Sequence, residues 1–153
     1  MNLHYVIGDA TVVIPGGNKI IAHICNDGGG WGKGFVLAVS AKWPEPEQEY
    51  RRAARTGLTL GSIQLVQVER TLWVANMVAQ HGHVSPANPV AIRYDALGTC
   101  LKLLADEATA LEADVQMPRI GVGLGGGSWD RIEPMLVDLA SSASVSVYDL
   151  PAQ

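Results

Sequence analysis

The chain has 153 residues, of which 48% are hydrophobic and 17% are charged. This is the composition of a folded globular protein of one domain, residues 1–153, and it excludes an intrinsically disordered chain. A net charge of −4, without any cluster of lysine and arginine, gives no electrostatic support for general binding to the backbone of nucleic acids, and a substrate carried on a nucleic-acid end stays open.

The predicted segments of regular structure alternate between strand and helix. Alternating apolar residues and β-branched side chains predict strands at residues 3–7, 19–25, 62–69, 72–78, 115–120 and 145–150. Apolar periodicity and capping residues predict helices at residues 34–42, 46–56, 92–112 and 129–141. The helix at 92–112 has the clearest pattern, because its apolar residues recur at spacings of 4, 3, 4 and 3.

The order of these segments predicts an α/β fold in three layers, with helices on both faces of a central sheet. Only Arg70 and Thr71 separate the strands at 62–69 and 72–78, so these two strands are predicted to form an antiparallel hairpin. The sheet of about six strands is therefore predicted to be mixed.

Two loops hold most of the glycine. Five of the 17 glycines lie within residues 28–34 (GGGWGKG) and five within residues 121–127 (GVGLGGG), each run between a predicted strand and a predicted helix. Glycine permits positive φ and close backbone approach, so such a loop directs several N–H groups at one anion, and the following helix dipole adds to this. The pair of loops predicts a diphosphate site; the alternative is two flexible turns.

Neither run is a familiar nucleotide motif. Gly121, Gly123 and Gly126 have the spacing of the dinucleotide fingerprint, but only one predicted strand follows them. That fingerprint belongs to the first strand–helix turn of its domain. Gly34 follows Lys33 where a Walker A loop needs serine or threonine, so that motif is excluded as well.

Three motifs together resemble the macro domain family. Residues 8–11 (GDAT) resemble its signature after the first strand, and residues 23–35 (HICNDGGGWGKGF) resemble its second strand and first phosphate loop. Residues 117–129 (MPRIGVGLGGGSW) resemble the second loop of the branch that includes the terminal ADP-ribose–protein glycohydrolases and the ADP-ribose 1''-phosphate phosphatases. The resemblance covers nearly the whole chain in the expected order.

The resemblance implies a three-layer α/β/α macro domain that binds ADP-ribose at the strand ends. Asp9 would accept a hydrogen bond from the adenine amino group, Ala10 would line the base and Asn26 would face the distal ribose. Residues of the two loops would hold the diphosphate and distal ribose: Gly32, Lys33, Gly34, Phe35, Gly121, Gly123, Leu124, Gly125, Gly126 and Gly127. Arg119 is a further candidate for phosphate binding, with a structural ion pair as the alternative.

The candidate catalytic residues are Asp27, Gln80 and His81. Asp27 could orient a water or cap loop N–H groups, and His81 could act as a general acid or base or be an exposed loop histidine. The related glycohydrolases use a lysine after the fourth strand and an aspartate in the second loop. Here residues 76–80 contain no lysine and Gly125 occupies the aspartate position, so a water-mediated reaction is predicted.

The predicted function is the release of mono-ADP-ribose from glutamate and aspartate side chains of modified proteins. The alternatives are removal of the 1''-phosphate from ADP-ribose 1''-phosphate and non-catalytic binding of ADP-ribose. The expected partner is ADP-ribose or an ADP-ribosylated protein, with no metal site and no cofactor. The two cysteines, the lack of a signal peptide and the lack of an apolar run of roughly 20 residues predict a cytoplasmic protein that does not enter membranes.

Overall fold

The computed structural model describes residues 2–152. Met1 and Gln153, the two ends of the predicted domain, lie outside the described residues. The strands are β1 (Leu3–Ile7), β2 (Asn18–Asn26), β3 (Ile63–Glu69), β4 (Leu72–Gln80), β5 (Ala113–Pro118) and β6 (Val145–Asp149). The helices are α1 (Phe35–Lys42), α2 (Glu45–Ala54), α3 (Tyr94–Leu111) and α4 (Trp129–Leu139), with a short 3-10 turn at Gly123–Gly125.

One mixed sheet contains these strands in the order β1-β6-β5-β2-β4-β3. Every neighbouring pair is parallel except β3 and β4, which form the predicted antiparallel hairpin. The predicted α/β class and the mixed sheet of about six strands are confirmed. β2 and β4 lie inside the sheet and are almost entirely buried, as expected for parallel strands that helices cover on both faces.

Successive residues of β2 pack on opposite faces of the sheet, and this gives the fold its three layers. Ile20 and Ala22 belong to a core formed with α3 and α4. Ile21 belongs to a second core, formed with α1 and α2 through Val39 and Tyr50. Because side chains alternate between the two faces of a strand, one buried strand contributes to both cores.

The central strands extend farther toward their carboxyl ends than the sequence predicts. β2 includes Asn26 and β4 includes Gln80, and these two residues pair across a register shift at Cys25/Asn26. The pairing of Asn26 with Gln80 carries both strands through polar residues, which a hydrophobic pattern does not indicate. β5, by contrast, ends at Pro118, so Arg119 and Ile120 belong to the following loop.

α3 begins at Tyr94, two residues after the predicted start. The N–H groups of Ala91 and Ile92 both donate to the carbonyl oxygen of Gly125, at 3.0 Å each, which ties the segment before α3 to the second glycine run. The remaining boundaries lie within two residues of the predicted ones. No helix in the described part of the chain has both the length and the apolar character needed to cross a bilayer.

The five parallel strands, β1, β6, β5, β2 and β4, have their carboxyl ends at one edge of the sheet. Both glycine runs leave the sheet at this edge, one after β2 and the other after β5. In open α/β sheets, ligands bind in the crevice outside the carboxyl ends of the strands. The topology therefore places both glycine-rich loops around one crevice.

Candidate functional site

A cleft of about 870 Å³ lies between the two glycine runs, at the carboxyl ends of β2, β4 and β5. Residues 27–34, after β2, are called loop A, and residues 119–128, after β5, are called loop B. Many of the predicted site residues line this cleft: Asn26, Gly32, Lys33, Gly34, Phe35, Gln80, Arg119, Gly121, Gly123, Leu124 and Gly125.

The other predicted site residues do not line the cleft: Asp9, Ala10, Asp27, His81, Gly126 and Gly127. Gly126 and Gly127 line a second, more open cavity of about 610 Å³. Asp9 and Ala10 follow β1 at the same edge of the sheet, two strands beyond β5. The structure therefore brings the two loops together and leaves the residues after β1 at a distance along the edge.

Asn26 braces loop A from the end of β2. Its Oδ1 accepts hydrogen bonds from the N–H groups of Gly28 (2.7 Å) and Gly30 (3.3 Å), and its Nδ2 donates to the carbonyl oxygen of Gly30 (3.2 Å). The loop thus uses most of the hydrogen-bonding capacity of this side chain, and one amide hydrogen is left for a ligand. The contact of Asn26 with a distal ribose stays a prediction.

Tyr50 of α2 fixes the backbone of loop A without lining the cleft. Its side chain is fully buried, and its hydroxyl donates to the carbonyl oxygen of Asn26 (2.5 Å) and accepts from the N–H of Gly29 (3.1 Å). Trp31 of loop A packs against its ring, with the centroids 5.2 Å apart. The sequence gives no signal of this role, because the partner residues lie 21 and 24 positions away.

Gly32 and Gly123 face open space. A Cβ atom added to either residue would meet no heavy atom of the protein within 4 Å. Where the loops approach each other, by contrast, a Cβ on Gly34 would lie 2.8 Å from Leu124 Cδ1. The backbone of both loops is therefore accessible from the cleft, and the two loops come into contact at Leu124. This arrangement suits a ligand that binds backbone N–H groups at close range.

Packing against the protein explains other glycines of loop B. A Cβ on Gly121 would overlap Ile92 Cδ1, and a Cβ on Gly127 would lie 2.6 Å from the carbonyl oxygen of Gly121. The N–H of Gly127 donates to that same oxygen (2.7 Å), so loop B folds back on itself. Gly121 and Gly127 thus have no room for a side chain even when the cleft is empty. A ligand contact of Gly127 stays a prediction.

Arg119 lines the cleft and also forms a structural ion pair with Asp149. Its Nε and Nη2 donate to the two carboxylate oxygens of Asp149, at 2.8 and 2.9 Å. The guanidinium lies 5.0 Å from the ring centroid of Tyr5 and 5.0 Å from that of Trp129. Nη1 donates no hydrogen bond within the described residues, so it is the part of Arg119 that a ligand can use.

Asp27 and His81 form a hydrogen-bonded pair beside the cleft. Asp27 Oδ2 lies 2.6 Å from His81 Nδ1, and Asp27 Oδ1 accepts from the N–H of Gly82 (3.1 Å). Burial alone would raise the pKa of Asp27, but the hydrogen bonds from His81 and Gly82 outweigh it and hold that pKa below its usual value. The pair joins loop A to the segment after β4.

His83, which the sequence does not distinguish from an ordinary loop histidine, lines the cleft. Its ring lies over loop A, since a Cβ on Gly30 would be 3.5 Å from His83 Nε2. Gly82 has a φ of +60°, and the turn at this residue holds His81 on Asp27 while His83 faces the cleft. Neither ring nitrogen of His83 has a hydrogen-bond partner within residues 2–152.

Gln80 ends β4 with one free acceptor at the cleft. Its Nε2 donates to the carbonyl oxygen of Gly82 (3.0 Å). Its Oε1 lies 3.5 Å from the position of a Cβ on Gly125 and accepts no hydrogen bond from the described part of the chain. Gln80, at the end of β4, can therefore accept a hydrogen bond inside the cleft, and His83, just after β4, can accept a hydrogen bond or a proton there.

The charged side chains that line the cleft are cationic. Lys33 and Arg119 contribute positive charge, and no aspartate or glutamate of the described residues lines it. This lining favours an anionic ligand. Within residues 2–152, no group of three or more His, Cys, Asp or Glu side chains is arranged to hold a metal ion.

His23 contributes a buried acceptor to the wall of the cleft. Asn76 Nδ2 donates to the carbonyl oxygen of Pro46 (3.0 Å), so Asn76 Oδ1 accepts from His23 Nε2 (2.6 Å). His23 Nδ1 is then a bare acceptor, buried and without a partner within the described residues. Burial lowers the pKa of His23 to about 4, against the opposing effect of the Asn76 hydrogen bond, so the ring is neutral at pH 7.

We expect this histidine to make the protein less stable in mild acid. Its pKa is about 4 when folded, against an ordinary value of 6.5, so below pH 6.5 the unfolded chain binds a proton that the folded chain does not. The contribution of His23 to the free energy of unfolding should fall by about 3 kcal/mol as the pH drops from roughly 6.5 to 4 and should then stay constant. Urea unfolding of the wild type and of a His23→Leu variant at several pH values measures this contribution. The same pH dependence of the free energy of unfolding in both proteins would contradict the prediction.

Comparisons with known proteins find several that are similar to this chain over nearly its whole length. No family model matches the chain. A macrodomain protein from Streptomyces coelicolor is 50% identical, with a TM-score of 0.84 over 96% of this chain and 98% of that one. A protein of unknown function from Bacteroides thetaiotaomicron is 48% identical, with a TM-score of 0.92 over 97% of this chain and 98% of that one. An ADP-ribose 1''-phosphate phosphatase from Lodderomyces elongisporus is 28% identical over 97% of this chain and 98% of its own length.

Proposed function

The chain belongs to the macrodomain family, and we propose that it binds ADP-ribose in the cleft and hydrolyses the bond between mono-ADP-ribose and acidic side chains of modified proteins. The observation that carries this proposal is a cleft with cationic lining between two glycine-rich loops. The membership agrees with the resemblance of the three sequence motifs. Such loops direct backbone N–H groups at phosphate oxygens.

The two loops divide the binding of the diphosphate. Gly32 and Gly123 leave backbone open on opposite sides of the cleft, so each loop approaches one phosphate group closely. Lys33 and Nη1 of Arg119 add positive charge. Asn26, Tyr50 and the packed glycines of loop B hold the loops in place, so little ordering of the backbone is needed on binding.

The chemical step uses a water molecule held after β4. Water adds its oxygen to the anomeric carbon of the distal ribose, the bond to the side-chain carboxylate breaks, and that carboxylate leaves with the bonding electrons. Because the leaving group is already stabilised as an anion, the main help needed is removal of a proton from the water. The Oε1 of Gln80 orients this water and His83 takes its proton, while Asp27 and His81 position the segment after β4 that carries His83.

A second candidate is removal of the 1''-phosphate from ADP-ribose 1''-phosphate. The Lodderomyces elongisporus relative has that name and matches nearly the full length of both chains. The same cleft would then hold one more anionic group at the distal ribose. At 28% identity, the likeness to this relative supports the phosphatase reaction only as the second candidate.

The test measures turnover of two substrates and the binding of free ADP-ribose. The purified chain is incubated with a protein ADP-ribosylated on glutamate, with ADP-ribose 1''-phosphate, and with free ADP-ribose in a calorimeter. We expect ADP-ribose to be released from the modified protein and free ADP-ribose to bind. Phosphate release alone would favour the phosphatase. Binding without any turnover would mark a non-catalytic reader, and no binding would overturn the proposal as a whole.

A further inference from the structure

The turn that follows β1, residues 9–12, is held by side chains from two other elements. Gln116 of β5 donates through Nε2 to the carbonyl oxygens of Ala10 (2.7 Å) and Val12 (3.0 Å). Lys42 at the end of α1 donates through Nζ to the carbonyl oxygen of Thr11 (2.9 Å). Three successive carbonyl groups are thus fixed by side chains of other elements. Ala10 and Thr11 are buried, so their carbonyl groups cannot rely on water for these hydrogen bonds.

Gln116 is an unusual residue for its position. It lies inside β5 with only 4% of its surface exposed, among apolar neighbours such as Val115 and Met117. A buried amide costs free energy unless it is hydrogen-bonded, and a methionine or leucine would fill the same space without that cost. Both hydrogens of its Nε2 are directed at the turn, so holding the turn is what this amide contributes.

Within this turn, one of the two carboxylate oxygens of Asp9 accepts hydrogen bonds and the other does not. Oδ1 accepts from the N–H and from the hydroxyl of Thr11, both at 2.8 Å. These bonds lower the pKa of Asp9, so the group is ionised at neutral pH. Oδ2 accepts no hydrogen bond within residues 2–152 and is an acceptor with a set direction.

Asp9 lies on the same edge of the sheet as the cleft. Arg119, which lines the cleft, is paired with Asp149, and the backbone carbonyl of Asp149 accepts from the N–H of Gly8. A ligand whose diphosphate lies between loops A and B can therefore extend across the ends of β5 and β6 toward Asp9. The end that reaches Asp9 must offer a hydrogen-bond donor.

We propose that Gln116 is a positioning residue that sets base recognition, by fixing residues 9–12 so that Asp9 Oδ2 accepts from the amino group of an adenine. This inference rests on the proposed binding of ADP-ribose. Gln116 does not touch the base. It acts on the direction of the Asp9 acceptor through the backbone of the turn, and its amide donates to this turn and not to loop A or loop B.

The test compares ADP-ribose with its inosine analogue, in which a carbonyl oxygen replaces the amino group. Calorimetry is done on the wild type, on Gln116→Met, and on Gln67→Met. Gln67→Met is the control: it also removes a hydrogen bond from a strand glutamine to a backbone carbonyl, that of Arg70. Gln67 lies in β3, the outermost strand on the side of the sheet opposite β1. We expect the wild type and Gln67→Met to prefer ADP-ribose by about tenfold, and Gln116→Met to lose the preference while its affinity for the inosine analogue changes little.

Lys42→Met is a second variant, made at an exposed helix position, in case Gln116→Met folds poorly. It removes the third hydrogen bond to the turn and should lower the preference by a smaller factor. An unchanged preference in both variants overturns the inference, and so does an equal loss of affinity for both ligands, which would mark a merely structural role. If the wild type binds neither ligand, the proposed function itself fails and this inference fails with it.

Discussion

A Gly32→Val variant is expected to lose ADP-ribose binding by at least about a hundredfold while it keeps the stability of the wild type. A Cβ on Gly32 meets no protein atom within 4 Å, so the added side chain causes no clash inside the protein. It does occupy the space in the cleft through which a phosphate must approach the backbone of loop A. Calorimetry measures the affinity, and thermal unfolding checks the stability.

The controls are chosen from the other glycines. Gly32→Ala should give an intermediate loss, because its single methyl group fills less of the same space. Gly98→Ala lies in α3, where the new Cβ would make an ordinary contact of 3.5 Å with Met135 and the helix favours alanine, so its binding should equal that of the wild type. Unchanged affinity in Gly32→Val would show that no phosphate approaches loop A at this point.

Loop B offers no equally clean variant among its packed positions. Gly127 would place a Cβ 2.6 Å from backbone oxygen, so its substitution changes the fold of the loop. Gly125 is buried, and a Cβ there would lie 3.5 Å from Gln80 Oε1, so a valine would disturb the candidate catalytic side chain as well. Loss of binding in either variant would therefore report on packing and leave the phosphate contact undecided.

Turnover is expected to fall about a hundredfold in His83→Ala and in Gln80→Leu, with the affinity for ADP-ribose changed by no more than a few fold. Both side chains line the cleft, and each offers an acceptor that no described residue uses. His83 is removed as the proton acceptor and Gln80 as the group that orients the water, and the loss of a positioned general base costs a reaction of this kind about that factor. The measurement is single-turnover release of ADP-ribose from a protein modified on glutamate.

The matched control for this prediction is His81→Ala, two residues from His83. His81 does not line the cleft, and its Nδ1 is held 2.6 Å from Asp27. Its loss should loosen the segment after β4 and slow turnover by a smaller factor than the loss of His83. A larger effect at His81 than at His83 would assign the proton transfer to the Asp27–His81 pair, which is the assignment that the sequence favours.

The sequence was sufficient for the architecture because local patterns carry that information. Strand alternation, the apolar face of the helix before β5 and the short link at Arg70 and Thr71 each depend on neighbouring residues, and each led to an element that the structure contains. The glycine runs were equally visible, since close backbone approach leaves a direct mark on composition. The positions of both loops at one edge followed from strand order.

The choice among polar residues was decided only by tertiary contacts. His81 and His83 are separated by one residue and have the same chemistry, yet the turn at Gly82 and the bond to Asp27 hold one beside the cleft and leave the other within it. The supporting roles of Tyr50 and Gln116 depend on partners 24 and 106 positions away.

The two glycine-rich loops were therefore determined by the sequence itself, because a backbone that must approach an anion needs glycine wherever it lies in the fold. Which side chains reach the space between those loops was decided by the tertiary structure. A side chain's direction depends on the φ of nearby residues and on hydrogen bonds to distant elements, and neither is recorded in the residue types alone.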